Sequence, residues 1–132
     1  MEKIDFKKTL ARLYNPKNVK DWELVDVPEM QFLMIDGQGN PNTAKSFADA
    51  IEALYSVSYA LKFMSKRELA KDYGVAPLEG LWYADDKEIF HRGDKDAYRW
   101  TLMIMQPDWI SETMIKEAVE QVRLKKNPCA LA

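Results

Sequence analysis

The sequence predicts an α+β fold: an antiparallel sheet with helices on one face, built as a single strand-helix-strand-strand unit with a leading and a trailing helix. Two observations predict the class. Apolar residues recur at helical spacing from Ser46 to Lys66, and two aromatic-rich runs, Pro77–Tyr83 and Tyr98–Gln106, read as strands of a wide hairpin. A third bounds the size: 132 residues make one ordinary domain, here read as a single domain over 1–132.

Asp5 to Tyr14 places Phe6, Leu10, Leu13 and Tyr14 on one helical face, and Asn15-Pro16 signals its end. Trp22–Val27 reads as a strand interrupted by Pro28 and resumed over Met30–Ile35, where both faces are apolar, as in a central strand. Asp36-Gly37-Gln38-Gly39-Asn40-Pro41-Asn42-Thr43 is turn chemistry, with both glycines free to take positive φ and Asn42 or Thr43 available as a helix cap. In the long helix Phe47, Ile51, Leu54, Ser58 and Leu61 share a face with Ala50 and Val57 beside them, while Tyr55 and Lys62 flank it. Tyr59 and Phe63 fall on a further side, so from Leu54 to Met64 the helix is apolar nearly all round and needs two neighbours. A charged loop joins the last two strands. Ser111 caps a final helix carrying Ile115, Ala118, Val119 and Val122, with Lys125 and Lys126 in its last turn and Pro128 beyond.

Composition excludes several functions. Lys and Arg number 19 against 21 Asp and Glu, so the chain has no electrostatic footprint for nucleic acid or an anionic membrane. With 47% hydrophobic and 30% charged residues it has burial capacity for a globular core but no apolar run long enough to span a bilayer. The N-terminus lacks a secretory pattern and Cys129 is the single cysteine, so a reducing cytoplasm is the expected location.

The chain is poor in nucleophilic equipment and rich in large polarizable side chains, with 4 Trp, 6 Tyr, 5 Phe and 7 Met. Gly37-Gln38-Gly39 sits where a dinucleotide fingerprint would lie, but the third glycine position is Asn42 and no Gly-Lys-Ser/Thr follows, so no nucleotide cofactor is expected. Asp85, Asp86, Glu88, His91, Asp94 and Asp96 match neither a calcium loop nor a zinc site, so no metal is expected. Glu79 stands out as a carboxylate inside an apolar strand, on the face of Leu81 and Tyr83. It is either a general acid or base or a counter-charge for a cationic ligand, or else a wet edge residue paired with Arg99 or a neighbouring lysine. Tyr55, Tyr59, Trp82, Tyr83, Trp100 and Met103 are the candidate ligand contacts beside it.

Several ordered stretches resemble the GyrI-like small-molecule-binding family: Val25–Gly37, Asn40-Pro41-Asn42, Ala50–Val57, Pro77–Tyr83 and Met103–Asp108. The resemblance implies a strand-helix-strand-strand repeat used twice around a ligand pocket, of which this chain carries the first copy. It also implies aromatic and acidic pocket residues that bind planar, often cationic, small molecules, with Glu79, Trp82 and Tyr83 at matching positions. The likeness is strongest to stand-alone members that open the cyclopropane rings of DNA-alkylating compounds, where Glu79 would activate water and Tyr83 or Tyr55 would position it. Either the chain is a fragment of a two-repeat protein or it pairs with another copy of itself, and the expectation is a homodimer that supplies the second half of the pocket. The alternative to binding or hydrolysis is a protein antagonist of the gyrase-inhibiting type.

Overall fold

A computed structural model describes residues 2–14, 22, 24–84, 86 and 88–125. Asn15-Pro16, Asp85, Lys126, Pro128 and Cys129 lie outside the described residues. The elements run β1 (Lys3–Ile4), α1 (Phe6–Thr9), α2 (Ala11–Tyr14), β2 (Gln31–Gln38), α3 (Lys45–Leu69), β3 (Asp72–Tyr73), β4 (Leu78–Tyr83), α4 (Glu88–Arg92), a 3-10 turn (Lys95–Ala97), β5 (Arg99–Gln106) and α5 (Glu112–Lys125). The α+β class and the antiparallel sheet are as the sequence predicts.

The main sheet has three strands in the order β2-β5-β4, antiparallel throughout. β5 is the central strand, bonded to β2 on one side and β4 on the other, and most of its residues are buried. The Met30–Ile35 run, read as central, is instead an edge strand. Its doubly apolar pattern has another cause: Leu33 and Ile35 pack into the core, while Met34 points to the opposite face and is 54% exposed. The expected strand at Trp22–Val27 does not form among the described residues there. Trp22 and Leu24 are fully exposed, and an unpaired segment ending at a proline has no ladder to join.

β2 also runs further than predicted, so that Gly37 pairs with Trp100 inside the ladder rather than sitting in the turn. A Cβ at Gly37 would lie 2.1 Å from the indole Cη2 of Trp100, which makes glycine a requirement of close approach. Of the two glycines only Gly39 takes positive φ. The predicted caps of α3 are not used: its N-cap is Ala44, without a side-chain cap, and the preceding turn is closed by Asn40, whose carbonyl accepts from Thr43 and Ala44.

The leading segment forms two short turns broken at Leu10 instead of one helix, since so short a segment takes its shape from packing rather than propensity. Asp5 caps the first turn through Lys7 N–H at 3.0 Å. α3 packs on the sheet with Ala50 and Leu54 against Trp100, Leu102 and Ile104. Its neighbouring face, Val57, Leu61 and Met64, meets Ala118 and Val122 of α5 and Tyr73 of β3. Ser111 Oγ accepts from Met114 N–H at 3.2 Å, the predicted cap.

Lys62, read only as flanking the apolar stripe, is buried and bonded to Asp72 Oδ1 at 2.7 Å. Its hydrogen bond, ahead of its charge and that of Lys66, holds the Asp72 carboxyl below the usual carboxylate range against the opposing effect of burial. Ser65 closes the helix end, donating to Lys71 O at 2.7 Å and accepting from Trp109 Nε1 at 2.9 Å. No described helix is long and apolar enough to cross a membrane.

Candidate ligand-binding site

Strand alternation decides which predicted residues meet. Leu78, Gly80 and Trp82 stand opposite Ile104, Leu102 and Trp100 and share their helix-covered face. Glu79, Leu81 and Tyr83 stand opposite Met103, Thr101 and Arg99, which in turn face Met34, Asp36 and Gln38. This second face is open: Leu81 is 52% and Tyr83 40% exposed.

The predicted contacts therefore divide. Glu79, Tyr83 and Met103 come together on the open face. Trp82 lies on the other side with Phe47 at 5.7 Å and Tyr98 at 6.4 Å between ring centres. Tyr55 and Tyr59 stack on α3 at 6.4 Å. Trp100, expected as a ligand contact, is core: it is 1% exposed and edge-on to Phe47 at 5.2 Å, because its register opposite Gly37 drives the indole beneath α3. It does border a small cavity of about 270 Å³ with Ser46 and Asp49.

On the open face Glu79 is half-buried, and among the described residues its partner is Tyr14 rather than Arg99 or a lysine. The Tyr14 hydroxyl donates to Glu79 Oε2 at 3.1 Å, so the leading helical segment reaches across to the site. Burial, and then the Glu79 carboxylate beside it, pushes the Tyr14 phenol above its usual range, which extends its role as a donor further into alkaline pH. One row along, Thr101 Oγ1 donates to Asp36 Oδ1 at 2.5 Å and lies 3.4 Å from the Tyr83 hydroxyl. Asp36, Thr101 and Tyr83 thus form a polar line across all three strands, with Met34, Met103 and Leu81 as apolar ground around it. Sequence reasoning missed Tyr14, Asp36 and Thr101. Tyr14 and Glu79 are 65 positions apart, and Asp36 carried a turn signal, so only register brings these groups together.

A larger cavity, about 540 Å³, opens at the other end of the sheet between Phe6, Leu10, Met30, Met105 and Trp109, and holds none of the predicted residues. Among the described residues no group of His, Cys, Asp or Glu side chains is placed to hold a metal ion.

No family model matches the chain, and no curated protein does. Solved structures do. An uncharacterized conserved protein from Listeria innocua is 41% identical with a TM-score of 0.83, matching 95% of this chain and 61% of its own. Two proteins described as hydrolases from the same organism are 38% and 40% identical, with TM-scores of 0.78 and 0.82. They match 95% and 96% of this chain and 62% and 61% of theirs. The chain thus spans about three-fifths of the length of these similar proteins.

Proposed function

We propose that this chain is a GyrI-like unit whose open sheet face, centred on Glu79, binds planar aromatic small molecules, cationic ones among them. The observation that carries the reading is the setting of Glu79: a half-buried carboxylate with one oxygen held by Tyr14, beside the thioethers, aliphatic and phenol groups of Met34, Met103, Leu81 and Tyr83. A carboxylate among polarizable apolar groups suits a flat cation. A second copy of the chain facing this surface would complete the pocket as a symmetric homodimer. Titration calorimetry tests the binding: Glu79→Gln weakens a planar cation by roughly tenfold and leaves a neutral ligand of the same shape within twofold. Equal losses for both would refute the role of charge.

A second reading, hydrolysis, is favoured by the two similar proteins described as hydrolases. For a strained cyclopropane substrate, Glu79 takes a proton from water and the water oxygen bonds to a ring carbon. The ring C–C bond breaks, and its electron pair passes into the conjugated carbonyl system, which is then protonated. Tyr83, with its hydroxyl on the same face, positions the water. Turnover of a cyclopropane-bearing alkylator that disappears in Glu79→Gln supports this reading, and stoichiometric capture without turnover refutes it.

A further inference from the structure

We propose that the open face selects planar cations bearing N–H donors over cations of equal size and charge that bear none, an inference that rests on the ligand-binding reading above. The Thr101 hydroxyl owns one proton and places it on Asp36 Oδ1 at 2.5 Å, since a carboxylate only accepts. The 3.4 Å contact between Thr101 Oγ1 and the Tyr83 hydroxyl then runs in one direction, with Tyr83 donating. The Tyr83 proton is turned inward, and its oxygen offers lone pairs to whatever lies on the sheet.

Glu79 presents the same chemistry. Tyr14 donates to Oε2, and the remaining capacity of the carboxylate is to accept. Glu79 shares a row with Met103 and Met34, and Asp36 shares the next with Thr101 and Leu81. Glu79 and Asp36 therefore stand on opposite edge strands, with backbones on the order of 12 Å apart from strand spacing and rise. That is about the length of a tricyclic ring system, and the ground between the two is apolar. Arg99, one row further beside Tyr83, is itself engaged in an interaction of its own. A flat ligand on this strip meets acceptors near both ends. A cation with N–H groups gains charge attraction and hydrogen bonds, whereas a fully alkylated cation gains the charge term alone.

The test compares 9-aminoacridine, a planar cation with N–H donors at neutral pH, with N-methylacridinium, the same tricycle without them, by titration calorimetry on the full chain. The expected result is that 9-aminoacridine binds at least tenfold tighter, in line with a charge-assisted hydrogen bond. Tyr83→Phe, at a half-exposed position that tolerates the change, and Asp36→Ala, at an exposed position, which removes an acceptor and frees the Thr101 proton for the Tyr83 oxygen, each reduce that ratio below threefold. Equal binding of the two cations to the unmodified protein overturns the selectivity while leaving the binding reading standing. A ratio unchanged in either variant overturns the assigned proton arrangement and with it the proposal. Binding of neither cation refutes both.

Discussion

Replacing Gly37 with alanine tests how the sheet is assembled. The new Cβ would lie 2.1, 2.3 and 2.6 Å from Cη2, Cζ2 and Cζ3 of the Trp100 indole, where ordinary carbon contacts need about 3.5–4 Å. Beyond the small cavity it borders beside Ser46 and Asp49, the indole has little room to retreat. It is 1% exposed and held edge-on by Phe47 at 5.2 Å. Either β2 leaves the ladder at the Gly37–Trp100 pair or Trp100 is expelled from under α3. Overpacking of this severity costs about 3 kcal/mol, and at about 2.1 cal/mol/K per residue of unfolding entropy this lowers the Tm by roughly 10 °C. Trp100→Phe alone costs about 1–3 kcal/mol through the space it leaves, but its shorter ring withdraws from the position the alanine methyl needs. The double variant is therefore less destabilised than the sum of the two by at least about 1.5 kcal/mol. Urea unfolding followed by far-ultraviolet circular dichroism reads this without relying on the altered fluorophore. A Gly37→Ala variant within about 0.5 kcal/mol of the parent, or additive energies in the double variant, would refute the reasoning.

Other predictions follow from the same packing. Tyr73 is buried with a hydroxyl that lacks a partner among the described residues, and burial pushes its phenol above the usual range. Tyr73→Phe removes that polar cost and stabilises the protein by about 1 kcal/mol in urea melts. Ala70 ends α3 in the left-handed region at φ 54°, so Ala70→Gly relieves strain and raises the Tm, by about 0.5–1 kcal/mol in stability. Because the Lys62 hydrogen bond holds Asp72 below the usual carboxylate range, the unfolded chain takes up this proton first as pH falls. The pair's contribution is complete above the unfolded carboxylate pKa and is lost as pH drops through the lower folded value, so Asp72→Asn flattens the acid limb of a Tm–pH profile. Light scattering across a dilution series checks the proposed homodimer: a mass of two chains that persists on dilution is expected, and a monomer at all concentrations contradicts it.

What the sequence determined by itself is local and periodic. The spacing of Phe47, Ile51, Leu54 and Leu61 made α3 a helix with a sheet beneath it. The aromatic and aliphatic runs around Trp82 and Trp100 made a strand pair. Alternation alone put Glu79 with Tyr83 and away from Trp82. Each of these depends on residues within a few positions of one another, where period and side-chain type suffice.

The tertiary structure decided what depends on pairing over distance. Whether β2 is an edge or a centre follows from which strands it meets, and an apolar run reads the same in both places. Gly37 belongs to the ladder only because Trp100 lies across from it. Lys62 is buried because Asp72 returns to meet it after α3 ends. The polar line of Asp36, Thr101 and Tyr83 exists only once three strands are in register, and Tyr14 finds Glu79 across 65 positions. Side chains that share a face of a sheet are chosen by register, which hydrogen bonds between strands fix and which no spacing within one segment contains.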